Sequence, residues 1–164
     1  MRFSAFALAS ALLLAACGSS GGGSNDSAKR GYINEADAIC AKTNADMRET
    51  NARLDELARS ARQVSEFQDD LADGQFEARD ELDSLRKLPV PKGSEAAVKQ
   101  ILADRDHQLD LIDQLITASK RNDASAFKHL TDEVNGARQT VQGETQKFGL
   151  KICGQDPAGA TTSR

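Results

Sequence analysis

The chain has 164 residues, with 21 Lys and Arg against 25 Asp and Glu and a formal net charge of −4 at pH 7. That acidic balance argues against nucleic acid as a partner and against electrostatic adhesion to anionic lipid. Trp is absent, with only one Tyr and six Phe, which leaves little for an aromatic stacking platform; Ala, Leu, Asp, Glu, Gln, Lys and Arg dominate, as in a helical protein.

The first element, residues 1–16, has the architecture of a secretory signal: Arg2 at the start, an apolar run from Phe6 to Leu14, then small residues before Cys17. A run this short does not span ~30 Å of hydrocarbon, which takes ~20 residues. The stretch "LAAC" resembles the lipobox of bacterial lipoproteins. That resemblance implies cleavage before Cys17, a diacylglyceryl group on its sulfur and often an acyl group on the new amine. The expected location is therefore extracytoplasmic, lipid-anchored to a bacterial membrane, with membrane lipid reached through acylated Cys17 as the first partner. Two acyl chains hold a protein on a bilayer where one gives only marginal binding. Plain secretion with an incidental cysteine is the alternative.

Residues 17–31 are predicted to be the lipidated cysteine and a Gly/Ser-rich tether. Nothing in this stretch offsets chain entropy, and a linker of this length spans on the order of 20 Å root-mean-square. No Gly-Lys-Ser/Thr follows the glycines, so they do not form a phosphate loop. Residues 32–154 are left as one helical domain of sufficient size for one core, and 155–164 as a disordered tail. Loss of Arg2 with the signal brings the mature chain to 20 basic and 25 acidic residues, net −5. Of three cysteines, lipidation of Cys17 leaves Cys40 and Cys153. In an oxidising compartment that pair is expected to form a disulfide; two free thiols, open to metal binding, are the other reading, but no Cys-x-x-Cys or Cys/His cluster supports it.

Within the domain, four apolar stripes recur at spacings of three and four, the period of an amphipathic helix. The first runs Ile33, Ala36, Ile39/Cys40, Met47, Leu54, Leu57 to Val64, with Asn34 as its cap and Asp37 three residues on. The second runs Phe67, Leu71, Ala78, Leu82, Leu85, Leu88, with Ser65 and Gln68 as a capping box, and stops at Pro89 and Pro91. The third is Val98, Ile101, Leu109, Ile112, Leu115/Ile116, capped by Ser94. The fourth is Phe127, Leu130, Val134, Val141, Phe148, capped by Asp123 or Asn122 and ending near Gly149. A break near Gln63 divides the chain into four segments of similar length, ~40 Å each at 1.5 Å per residue. Matched lengths and short connections predict an all-α, antiparallel up-down-up-down four-helix bundle. An even number of passes puts Cys40 and Cys153 at one end. A bridge there closes a loop of about 114 residues, for which chain-entropy accounts give at most ~4.7 kcal/mol.

The segments "YINEADAIC", "LRKLPVP" and "FGLKICG" resemble a group of small exported bacterial lipoproteins, helical and with one cysteine near each end of the domain. The resemblance implies the disulfide and the fold, and no activity.

Candidate chemistry is thin. "DDLADGQFEARD" aligns to a calcium loop with Asp69 first and Asp73 fifth, but the third position is Leu71 and the twelfth is Asp80, so the ligand set fails. These acids read instead as favourable charges near a helix N-terminus. His107 and His129 fall too far apart along an antiparallel hairpin to share a metal. Asp106, Asp110 and Asp113 form an acidic row, by default a solvated face. Ser60, Ser65 and Ser119 lack a neighbouring base or a strained Gly-x-Ser-x-Gly turn. Asn44, Asn51 and Arg105 interrupt the apolar stripes, and polar groups there either fix register or line a cavity. The expectation is a membrane-anchored cell-envelope lipoprotein with no catalytic residue, cofactor or metal site, acting as a non-catalytic interaction or binding module. An envelope protein is its possible partner, met at the loops around 61–67 and 119–125. The alternative is a small-molecule or metal carrier with a site near Asn44, Asn51 and Arg105.

Overall fold

The computed structural model describes residues 23–155. The expected signal peptide, the lipidation site Cys17, the first residues of the tether and residues 156–164 lie outside the described residues. Those described form five α-helices and one 3-10 turn, with no strand. They are α1 (Gly23–Asp46), α2 (Arg48–Ser60), the 3-10 turn (Val64–Phe67), α3 (Gln68–Arg86), α4 (Glu95–Lys120) and α5 (Ala124–Phe148).

The first helix departs from the sequence reading at both ends. It begins at Gly23, not at a cap on Asn34, so residues 23–31 extend the helix instead of the tether. Past the last glycine of the run the residues are ordinary helix formers, and Asp26 lies in the first turn, where the helix dipole favours an acid. Tertiary contacts hold the extension: Lys29 Nζ sits 4.6 Å above the Phe148 ring, and Tyr32 meets Phe148 edge-on at 5.8 Å. Asn34 is exposed in mid-helix. At the other end the helix is interrupted at Met47, where no break was predicted. The Thr43 hydroxyl donates back to the Ile39 carbonyl at 3.4 Å, a bond of the kind that bends helices, and Arg48 Nε takes up the Ala45 carbonyl.

The predicted break near Gln63 is present. Ala61 and Gln63 are extended, and the Glu66 carboxylate accepts the backbone N–H groups of Arg62 and Gln63, both at 2.9 Å. The capping box at Ser65 and Gln68 is not formed, because Ser65 lies inside the 3-10 turn. Ser94 occupies the N-cap of α4 without a side-chain bond. Asp123, by contrast, caps α5 by accepting from Ala126 N–H at 3.0 Å. Gly149 ends α5 with φ of 108°, a left-handed turn suited to glycine.

α4 is the central element, packed on α3, α5 and the 3-10 turn, while α1 and α2 pack on α3. Cys40 and Cys153 form the expected disulfide, with Cα atoms 5.2 Å apart. Around it lies a dry cluster of Tyr32, Ala36, Leu85, Val98, Ile101, Phe148 and Leu150. Beyond α5 the chain doubles back onto α1, where the buried Asp37 carboxylate accepts the backbone N–H groups of Lys151, Ile152 and Cys153. At the opposite end, Ser119 Oγ donates to the Val64 carbonyl at 2.6 Å and Ser65 N–H donates to Asn122 Oδ1 at 3.4 Å. The segments around 61–67 and 119–125 thus meet at one end of the fold. No described helix is long and apolar enough to cross a membrane.

Candidate functional site

Beside the dry cluster, and touching it at Cys40, the helices form a partly open chamber of about 260 Å³. It exists because residues at inward-facing positions are polar or small. On α1 and α2 these are Asn44 and Asn51; on α3 they are Gly74, Ala78 and Glu81; on α4 and α5, Arg105 and Arg138. Gly74 is buried, and a β-carbon there would make ordinary contacts, 3.5 Å from Met47 and 3.6 Å from Thr50. The apolar part of the wall comes from Leu54, Leu71, Leu109, Ile112, Leu115 and Val134, and Thr43, Asp70, Gln75, Gln108 and Asn135 add further polar side chains.

Besides Arg138 and Asp70, the chamber carries an ion pair between Arg105 and Glu81. Glu81 has 2% of its side chain exposed and Arg105 has 21%, the latter as expected of a group that lines an enclosed space. Burial pulls the Arg105 pKa down to about 10, so it remains a cation at neutral pH. Asn51 Nδ2 is buried and has no hydrogen-bond partner. Gln75 Nε2 donates to the Leu109 carbonyl at 3.3 Å, and Arg138 donates to Asn135 Oδ1 at 3.1 Å. The chamber therefore presents both donors, such as Asn51 Nδ2, and acceptors, the carboxylate oxygens of Glu81 and Asp70 among them. At ~30 Å³ per molecule it has room for about nine waters.

The structure brings Asn44, Asn51 and Arg105 to this one chamber. Two members were not singled out from the sequence. Glu81 lies three residues after Ala78 and four before Leu85, and Arg138 four after Val134 and three before Val141. Both fall on the buried arc of their stripes, and that spacing was the available signal.

The other candidates are placed elsewhere. The stretch aligned to a calcium loop is helical within α3, and Asp70 and Asp73 both pair with Arg53 of α2. The acidic row on α4 is solvent-exposed as expected, and it also meets α3, with Arg79 reaching Asp110 and Asp113, and Arg86 reaching Asp106 at 3.0 Å. His107 and His129 are exposed, the latter 3.4 Å from Glu133. Ser119 is fully buried and bonded to the Val64 carbonyl, and Ser60 bonds the Glu56 carbonyl. Among the described residues no three His, Cys, Asp or Glu side chains cluster as a metal site would require.

No known family, curated protein or solved structure matches the chain. The chamber's own chemistry is a buried amide donor without a partner and a mostly buried guanidinium beside apolar side chains, features common to small-molecule pockets.

Proposed function

We propose that this protein is a lipid-anchored binding protein of the bacterial envelope. It is an up-down-up-down four-helix bundle, with α1 and α2 as one kinked pass, that carries a small molecule in its chamber and does no chemistry on it. The anchor is acylated Cys17, and the helical domain stands outside the membrane on a short tether.

The observation that carries this reading is that the Asn51 amide, without a protein partner, lines the same chamber as the buried Arg105–Glu81 pair. Buried ion pairs contribute little net stability and are often replaced by apolar side chains without loss. An unsatisfied buried donor costs ~1–3 kcal/mol. A domain selected only to fold gains nothing from placing both at a cavity. A ligand that accepts hydrogen bonds offsets both costs.

Native mass spectrometry of the protein taken from envelope membranes tests it. The wild type is expected to carry a small molecule released on denaturation, and Ala78→Phe, which fills the chamber, is expected to lack it. An absent adduct, or the same adduct in both, overturns the reading. The anchor is tested separately by Cys17→Ser, which is expected to move the protein from membrane to soluble fraction.

A further inference from the structure

The chamber has two ends, and the chain treats them differently. At one end it opens into a groove of about 780 Å³, and the two spaces share Asn51, Leu54, Leu71, Leu115, Asn135 and Arg138. The groove runs between α2 and α5, because α2 packs on α3 and the 3-10 turn while α5 packs on α4. Its lining is mixed, with Asp55, Arg62 and Thr131 beside Leu57 and Phe127.

At the other end stand Cys40, Gly154 and Gln155. α1 packs on α2 and α3, so beyond the Phe148 contact the same seam continues between α1 and α5. Residues 150–155 cross it, from the end of α5 back to α1. Three fastenings hold the crossing. Cys153 is bonded to Cys40. The Asp37 carboxylate of α1 accepts the N–H groups of Lys151, Ile152 and Cys153. On the α5 side Gly154, at φ of 81°, lies so close that a β-carbon would overlap Thr145 Oγ1 and stand 3.2 Å from Gln142 Cα. Only glycine takes that backbone angle and that space without strain. Gly154 is half-buried and Gln155 exposed, so a single turn of chain stands between the chamber and water.

From this arrangement we infer that residues 150–155 are a strap, latched by the Cys40–Cys153 bond, which leaves the chamber one mouth: a molecule enters by the groove, and the far end opens only when the strap lifts. This deepens the carrier reading and rests on it for the ligand, whereas the closure is a property of the chain alone. Exit rates through two mouths add, so the latched strap lengthens the stay of a bound molecule.

The test reads access to the chamber without a ligand. It uses the Cys17→Ser chain carrying Val141→Cys, a chamber position on α5 that is 1% exposed, and follows its alkylation by iodoacetamide. Gly154→Ala, which keeps the disulfide but pushes the strap off Thr145, is expected to raise the rate about tenfold or more through local opening. Ser119→Cys, fully buried at the opposite end of the fold, is expected to change less than about twofold in the same background. Thr131→Trp, which narrows the groove, is expected to slow alkylation of Val141→Cys about tenfold with the strap intact and to have little effect beside Gly154→Ala. Should Gly154→Ala not fold, the Cys40→Ser/Cys153→Ser chain replaces it. Its alkylation is compared with its own urea-unfolding free energy, because losing the bond weakens the whole fold. Val141→Cys is then expected to react about tenfold or more faster than global unfolding permits, and Ser119→Cys no faster than it permits. No acceleration at residue 141, or an equal one at residue 119, overturns the strap. An unslowed reaction in Thr131→Trp overturns the groove as the mouth. Neither result bears on whether the chamber carries a molecule, which the adduct measurement decides separately.

Discussion

Asp37 shows how one side chain closes the fold. After the left-handed turn at Gly149 the chain has left its helix, and the amides of Lys151, Ile152 and Cys153 need acceptors away from water. One carboxylate, 9% exposed, takes all three at 2.8–3.2 Å. Bonds to a charged group contribute ~1.5–3 kcal/mol each, less than additively when they share an acceptor. Asp37→Ala is expected to lower the urea-unfolding free energy of the oxidised protein by ~3 kcal/mol or more, and Asp37→Asn by less, since its amide oxygen still accepts. A loss below ~1 kcal/mol for Asp37→Ala would mean that water replaces the carboxylate. The role was not legible in the sequence: Asp37 has the position of an ordinary helix acid, and its partners are 114 to 116 residues away. Asn51 and Arg105 were legible because they break a pattern, being polar where the period demands apolar. A residue that completes a contact between distant segments breaks none.

At the scale of elements, the helices themselves were readable and their joints were not. The apolar period located α3, α4 and α5 and the break near Gln63, because burial acts on every turn of a helix. The early start of α1 depends on Phe148, which holds Lys29 and Tyr32, and the bend at Met47 follows a single threonine back-bond. The 3-10 turn is likewise tertiary in origin. Its Val64 carbonyl is satisfied by the hydroxyl of Ser119, a residue with 0% exposure on α4. Ser119→Ala is expected to cost ~1–2 kcal/mol by leaving that carbonyl unpaired, and hydrogen exchange should quicken in the 3-10 turn before it does in α4.

The seam between α4 and α5 sets a pH dependence. The Glu144 carboxyl is held above its ordinary pKa by a hydrogen bond to Asp104, by partial burial and by the Asp104 charge, against the pull of Lys147. A raised carboxylate favours folding while protonated in the folded state. The contribution is whole below the ordinary carboxylate range and is lost as pH rises through the raised value. Beyond it, two carboxylates face each other across the seam. Glu144→Gln keeps a donor toward Asp104 at every pH. Its Tm is expected to match the wild type near pH ~3 and to exceed it increasingly up to pH ~7. A Tm difference that does not change with pH would remove the shared proton as its cause.

Taken as a whole, the molecule is built in two unlike halves. One half holds the disulfide, the Asp37 clasp and the dry cluster from Tyr32 to Leu150. The other holds the groove and α2, whose ties to α3 include partly exposed ion pairs from Arg53, individually worth ~0–1 kcal/mol, and the chamber lies between the two, walled by Cys40 and Gln155 on one side and by Asn51 and Leu54 on the other. Stability is therefore uneven, and local opening should follow the packing. In native-state hydrogen exchange α2 and the 3-10 turn are expected to exchange through sub-global opening, at free energies well below those of the second half of α1 and the first half of α4. Reduction of the Cys40–Cys153 bond, 113 residues apart in sequence, separates the two halves further. It releases a loop whose closure is worth up to ~4.7 kcal/mol in the unfolded chain, so global stability is expected to fall by several kcal/mol. The opening of α2, which does not require the terminal segments to part, is expected to keep its free energy unless global unfolding becomes the easier route. Equal losses in both halves would show one cooperative unit, whereas unequal losses would show that α2 opens independently of the end that the disulfide holds.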